Sequence, residues 1–149
     1  MYPDPDIARL VNEAFVPVRV HVKDDKQEFQ RLGERFDAQW TPTTLVIDPP
    51  GVERHRVEGF LPKADFRSQL ELGLAKGAFG RHDFEEAARR FEEVLRKYPQ
   101  SDAAPEAQYW AGVSRYKSSG DPAALGETAR RFTQSYADST WAKKASVWG

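Results

Sequence analysis

The chain has 149 residues, of which 40% are hydrophobic and 30% charged, and its 22 basic and 23 acidic side chains leave a formal net charge of -1. This length and composition allow one ordinary domain or two small ones and argue against a disordered or collagen-like protein. A balanced charge attracts neither nucleic acid nor an anionic membrane, so we expect neither as a partner. No apolar run reaches the roughly 20 residues that span a bilayer, and the start MYPDPD lacks the pattern of a signal peptide. We therefore expect a soluble, cytoplasmic protein.

The first half alternates helix and strand patterns. Asp6 is expected to cap a first helix, and valines at every second position from Val16 to Val22 predict a half-buried strand. Pro49, Pro50 and Gly51 predict a turn between two further strands. This order predicts an α/β layer, with helices at 7–15 and 29–36 and strands at 16–22, 43–47 and 54–60.

The second half is expected to be all helix, because the apolar period lengthens to three or four residues after Pro62. No linker rich in Pro, Gly or Ser separates the halves, so the helix that begins near Lys63 should belong to both. We therefore expect a first domain at 1–77 and a helical domain at 63–149, which share the helix 63–77. The further helices are expected at 84–98, 107–116, 122–136 and 139–148.

No catalytic residue, metal site or cofactor is expected. The sequence contains no cysteine, which removes thiol nucleophiles, thiolate ligands and disulfides from this chain. His21, His55 and His82 have no carboxylate or second histidine at ligand spacing. Asp24 and Asp25 lie between lysines at a strand end, where capping of the next helix is the simpler interpretation than paired acid–base chemistry.

The helical half repeats itself: FEEAARRFEEVLRKYPQS and LGETARRFTQSYADS share ARRF and end alike. The first unit resembles a tetratricopeptide repeat, through Leu74, Ala75, Ala87, Phe91, Val94 and Pro99. The second is degenerate, since Ala129 and Ala137 replace a large apolar residue and the closing proline, and an unrelated helical bundle is the alternative. The resemblance implies a groove lined by the first helix of each hairpin, with Trp110, Ser114 and Lys117 facing Gln69 and Lys76. Trp141 and Trp148 are assigned to a capping helix.

The α/β half, from about Tyr2 to Gly77, resembles thioredoxin-like proteins. The resemblance depends on Trp40, Thr41, Pro42 and Thr43, which stand between a helix and a strand and are followed by a hairpin and a helix. It implies a cis Thr41–Pro42 bond and a backbone at Thr41 that is free to pair with an extended peptide. The four residues are therefore assigned to peptide binding. The C-x-x-C motif of that family is absent, and without a thiol this chain cannot exchange disulfides.

The strand that leads to C-x-x-C in that family is also absent, and its place lies between the strands that correspond to 16–22 and 43–47. An empty place leaves backbone groups unpaired on two edges, at about 1–3 kcal/mol for each group without a partner. Either the two strands close directly, or another segment or a second copy fills the place, or Met1 is an internal methionine. We expect the last, with an apolar strand and C-x-x-C encoded upstream, because the helix at 7–15 is typical of the distal part of the family's active-site helix.

The sequence is consistent with two alternative functions. The first is a redox-silent binding module for polypeptide clients, of the co-chaperone or scaffold type, with an incomplete thioredoxin-like sandwich and tetratricopeptide-type helical hairpins. The alternative is an N-terminally truncated thiol-disulfide oxidoreductase of the thioredoxin family.

Overall fold

The computed structural model of the protein describes residues 4–149. Tyr2, where the resemblance to thioredoxin-like proteins begins, lies outside the described residues. Two helices and then two strands precede Glu58, and helices alone follow, as the sequence predicts for the second half. The elements are α1 (Pro5–Ala14), α2 (Lys26–Phe36), β1 (Thr43–Ile47), β2 (Glu53–Glu58), α3 (Lys63–Gly80), α4 (Phe84–Lys97), α5 (Ala103–Ser119), α6 (Ala123–Gln134), α7 (Thr140–Ala145) and a 3₁₀ turn (Ser146–Trp148).

β1 and β2 form an antiparallel hairpin, which is the whole sheet within residues 4–149. Val46 pairs with His55, and the register shifts immediately after Val46. Asp48 closes the turn: its carboxylate accepts a hydrogen bond from the Val52 N–H at 2.9 Å and pairs with Arg54 at 2.5 Å. Burial alone would raise the pKa of Asp48, but these two partners outweigh it and hold the pKa below its usual value. The turn is therefore fixed by a charged carboxylate.

The prediction of a strand at 16–22 is wrong, because residues 15–21 form no secondary structure. Val16 and Val18 are 91% and 81% exposed, and the backbone of residues 16–20 makes no hydrogen bond within the described chain. A period of two gives a strand only where a neighbouring strand pairs with the backbone, and β1 and β2 pair only with each other. Direct closure of 16–22 onto 43–47 therefore does not occur.

α3 is shared by the hairpin and the helical half. One side of α3 packs against α4 and α5 and contributes to the main core. The opposite side lies so close to the hairpin at Gly73 that an added Cβ would be 2.8 Å from a Val46 methyl group. The main core is built from α3, α4 and α5 alone and consists mostly of alanine, which lets the helices approach closely. Its buried residues are Leu72, Ala75, Ala78, Ala87, Phe91, Val94, Ala103, Ala107 and Ala111.

α1 packs on the start of α3 through a smaller cluster, in which Ile7, Val11 and Leu70 are buried. Asp4, and not the predicted Asp6, caps this helix, because its carboxylate accepts hydrogen bonds from the backbone N–H groups of residues 6 and 7. The helix therefore begins two residues earlier than the sequence predicts.

α2 has no buried side chain. Arg56 of β2 ties its C-terminal end to the hairpin by donating hydrogen bonds to the carbonyl groups of Phe36 and Asp37. Asp25 stands at the N-cap position, but its carboxylate accepts a hydrogen bond from the His21 N–H at 2.8 Å instead of capping the helix. Arg56 thus supplies a polar connection between the end of α2 and the hairpin.

Candidate polypeptide-binding surfaces

The segment Trp40–Thr43 leads into β1 and is the best exposed of the predicted sites. Trp40 is 68% exposed and Thr41 is also exposed. The Thr41–Pro42 peptide bond is cis, the geometry that the resemblance implies. The Thr43 hydroxyl donates to the Trp40 carbonyl at 2.7 Å, and the Pro42 carbonyl accepts from the Gly59 N–H at 2.8 Å. These contacts fix the segment, while the backbone groups of Thr41 make no hydrogen bond within the described residues.

Exposed large hydrophobic side chains are concentrated in the first half of the protein. Among those of the described residues, only Val147 lies after the start of α3. An edge strand with exposed apolar neighbours is a template for pairing with another chain, and the outer edge of β1 is unpaired. The eight side chains before α3 are Val16, Val18, Val22, Trp40, Ile47, Val52, Phe60 and Leu61.

His55 of β2 joins the hairpin to the helical half. Its Nε2 lies 2.6 Å from Gln69 Oε1, and its Nδ1 lies 3.2 Å from Lys76 Nζ. Lys76 also pairs with Glu106 of α5 at 2.6 Å. Burial is the largest cause that lowers the pKa of His55, and the neighbouring ammonium of Lys76 lowers it further. A neutral ring can accept from Lys76 and donate to Gln69, so this His55 network is best satisfied by the neutral form.

The groove predicted from the sequence is not open along its whole length. Gln69 and Lys76 are engaged by His55, so the hairpin covers the side of α3 that was expected to face a peptide. Ser114 is fully buried and its hydroxyl has no partner within the described residues, so this residue cannot line a groove. Trp110 is half-buried and Lys117 is exposed. Of the five predicted groove residues, these two remain available.

The sequence signal for the His55 network is weak. Gln69 and Lys76 are seven residues apart and therefore share one face of α3, but the histidine that joins them lies 14 and 21 positions away. The ion pairs that connect α4, α5 and α6 through Glu92, Arg115 and Arg131 are equally long-range. Only packing of the elements brings these side chains together.

No group of three or more histidine, aspartate or glutamate side chains in residues 4–149 is arranged to hold a metal ion. Within the same part of the chain, no helix is long and apolar enough to cross a bilayer.

Comparison with protein families divides the chain as the fold does. The model of the thioredoxin-like domain matches residues 1–73, and the model of the tetratricopeptide repeat matches residues 67–101. The two matches overlap in α3, the helix that contacts both the hairpin and α4. No curated protein and no solved structure matches the chain significantly.

The protein is thus a fusion of an α/β unit with a helical-repeat unit. The first is a partial thioredoxin-like domain, and the second begins with a tetratricopeptide repeat formed by α3 and α4. α5 and α6 form the next helical hairpin, beyond the matched repeat.

Proposed function

We propose that this protein is a polypeptide-binding module, which takes up an extended segment of a partner as an additional strand on the outer edge of β1. The observation that carries the proposal is the unpaired outer edge of β1, with exposed Trp40 just before the strand and exposed Ile47 at its end. A sheet of two strands is only marginally stable, and a third strand with an apolar face adds both hydrogen bonds and buried area. Strand addition would therefore stabilise this half of the protein.

The expected partner segment is extended and has apolar side chains at every second position. Its backbone would pair with β1, which gives affinity for many sequences, and the alternating side chains would give selectivity. Trp40 stands at the start of this edge and offers a large apolar contact surface. Pairing of Thr41 with a peptide, which the thioredoxin-like resemblance implies, would extend the same interaction. Such a module acts as a co-chaperone or scaffold.

The test uses an acetylated and amidated octapeptide in which valine alternates with threonine or lysine. NMR spectra should show shifts of the backbone amides of Trp40, Thr41 and residues 43–47 on binding. The same peptide with N-methyl groups on alternate amides keeps its side chains but loses hydrogen bonds, which are worth about 0.5–1.5 kcal/mol each, so we expect about tenfold weaker binding. Equal affinity of the two peptides, or shifts located elsewhere, would show that strand addition is wrong.

Two variants distinguish binding at the edge of β1 from non-specific binding to exposed hydrophobic side chains. Trp40→Ala should weaken binding of the octapeptide several-fold, because an aromatic contact at the edge is lost. Val147→Ala is the matched control, since Val147 is 81% exposed but lies at the far end of the helical half. It should leave the affinity unchanged.

A second copy of this chain is the alternative occupant of the edge. Residues 16–22 carry the required alternation of valines, and the backbone of residues 16–20 makes no hydrogen bond within the described chain. Light scattering that shows a dimer, together with its dissociation by the octapeptide, would assign the edge to self-association.

A further inference from the structure

Residues 16–20 carry an alternating pattern that the fold does not use. Valine stands at every second position, Val16 and Val18 are exposed, and the backbone of all five residues makes no hydrogen bond within the described chain. A segment with free backbone groups and apolar side chains on one face can pair with another strand. The same segment joins α1 to the rest of the protein, so its pairing affects where α1 docks.

α1 is held on the start of α3 by the small apolar cluster around Leu70 and by two ion pairs. Asp4 Oδ2 lies 3.4 Å from Lys63 Nζ, and Asp6 Oδ2 lies 3.5 Å from Arg67 Nη1. An isolated helix of 10 residues is only marginally stable in water, so α1 depends on this surface. The start of α3 therefore fits an amphipathic helix with carboxylates at its N-terminal end.

The same contacts can form between two copies of the chain. If α1 docks on the α3 of a second copy, and the α1 of that copy docks in return, every contact between the two helices is made again. Residues 16–20 span about 17 Å when extended, which exceeds the diameter of a helix, so they can carry α1 across to a neighbouring molecule. The cost of exchanging α1 is then mainly the entropy of association.

A register centred on Val18 suits pairing of residues 16–20 with the same residues of a second copy. Val18 then stands opposite Val18 on the two-fold axis, and Val16 stands opposite Val20, so the valines form one apolar face. Pro17 stands opposite Arg19, at a position without ladder hydrogen bonds, where its missing N–H has no cost. This antiparallel ribbon would add hydrogen bonds and buried area that a single copy lacks, and so would offset the entropy of association.

We propose that two copies of this chain form a dimer by exchanging α1, with residues 16–20 of the copies paired as an antiparallel ribbon. The occupant of the α3 surface is then the α1 of the second copy, selected by the same apolar cluster and ion pairs. This contact is separate from the edge of β1, which stays open in both copies.

The test uses equal amounts of unlabelled protein and protein labelled with heavy nitrogen, treated with a carbodiimide that joins a carboxylate to a neighbouring amine. Mass spectrometry of the digest shows whether the Asp4–Lys63 link joins chains of the same or of different label. In dimers that have exchanged α1, about half of these links should join a light and a heavy chain, the limit for random pairing. This share should fall on dilution, because the dimer dissociates by mass action.

The matched control for this link is the Glu71–Lys97 link. Its carboxylate and amine lie at the same separation of 3.4 Å, but they belong to α3 and α4, which share the main core of one copy. It should join only chains of the same label.

Val18→Lys tests the ribbon. This variant removes an apolar pair and places two ammonium groups opposite each other on the two-fold axis, so the Kd of the dimer should rise about fivefold in analytical ultracentrifugation. Val147→Lys is the matched control, because Val147 is as exposed as Val18 but lies in the helical half. It should leave the Kd unchanged. Circular dichroism should show that both variants are folded like wild type.

The proposal is wrong if the wild-type protein stays monomeric at high concentration, if Asp4–Lys63 links join only chains of the same label, or if Glu71–Lys97 links mix labels to the same extent. A dimer with unmixed Asp4–Lys63 links that the valine-alternating octapeptide dissociates would also contradict the exchange of α1. That result would place the contact at the edge of β1 and leave the strand-binding function intact.

Discussion

His55 is the residue whose protonation bears most directly on the contact between the hairpin and the helical half. Its two ring nitrogens lie against Gln69 and Lys76, and the charged groups that act on it are Lys76, Glu106 and Glu53. A proton on Nδ1 would point at the Lys76 ammonium and abolish that hydrogen bond. The pKa of His55 is lowered, chiefly by burial and next by Lys76, whereas the hydrogen bond to Gln69 and the two carboxylates act in the opposite direction.

Stability should therefore fall as the pH drops. In the unfolded chain His55 takes up its proton near the ordinary pKa of 6.5, and in the folded protein only at lower pH. The unfolded state binds more protons between the two values, so the stabilisation is complete above the ordinary pKa and is lost as the pH falls through the folded one. Melting curves from about pH 7.5 to about pH 5 should show a larger drop in Tm for wild type than for His55→Gln, which keeps a polar side chain without a titration.

The control for this prediction is His82→Asn. His82 is exposed and has a φ of 63°, which asparagine tolerates better than most residues. This variant should keep the pH dependence of the wild-type Tm. Parallel curves for wild type and His55→Gln would show that the His55 network does not control the stability of the folded protein.

At the scale of elements, the close approach of α3 and the hairpin at Gly73 is the contact that holds the two halves together. An added Cβ at this position would lie 2.8 Å from Val46 Cγ2 and 3.3 Å from His55 Cβ. Val46 Cβ, which would lie at 3.2 Å, and His55 Cβ are attached directly to paired strand backbones, so neither can move away without shifting the hairpin. Gly73→Ala should lower the free energy of unfolding by about 1–3 kcal/mol, the usual cost of overpacking, as measured by urea denaturation.

Gly126→Ala is the matched control for Gly73→Ala. Gly126 also lies within a helix, but an added Cβ there would meet its nearest neighbours only at 3.7 Å, which is ordinary contact. Because alanine is the better helix former by about 0.5–1 kcal/mol, this variant should be at least as stable as wild type. A Gly73→Ala protein as stable as Gly126→Ala would mean that the hairpin does not pack closely on α3.

The elements with local signals were predicted well. Pro49, Pro50 and Gly51 form the turn of the hairpin, and α4 starts at Phe84 behind the N-cap Asp83, as its apolar stripe predicts. The prediction of a strand at 16–22 was wrong. Alternating apolar residues indicate which side chains would share one face of a strand, but not whether a neighbouring strand is present to pair with its backbone. α5 begins at Ala103, four residues earlier than expected, since alanines packed in the core give no amphipathic stripe.

The candidate sites were predictable only in part, because the sequence does not show which elements pack against each other. Trp40–Thr43 could be located because its sequence order is distinctive. The predicted groove failed at Gln69, Lys76 and Ser114, because repeat spacing places these residues on a common side but does not show that the hairpin and the core cover that side. Contacts between the two halves depend on long-range packing, which periodicity does not encode.

For the whole molecule, the core is distributed unevenly. The main buried cluster lies in α3, α4 and α5, whereas α2 buries no side chain and the sheet has only two strands within the described residues. Regions with few buried contacts open with smaller free energies than the core. The protein should therefore unfold locally in its thioredoxin-like half long before it unfolds globally.

Hydrogen exchange followed by mass spectrometry tests this gradient of stability. Amides of α4 around Phe91 and Val94 should exchange most slowly, because their opening requires disruption of the main core. Amides of α2 and of the hairpin should exchange at least about tenfold faster than those of α4. This ratio corresponds to a free energy of local opening that is lower by at least about 1.4 kcal/mol. Addition of the valine-alternating octapeptide should slow exchange in β1 and leave α4 unchanged, since a ligand protects the segment that must be folded to bind it. Uniform exchange along the chain would contradict the uneven core, and protection that appears only in α4 would contradict strand addition at β1.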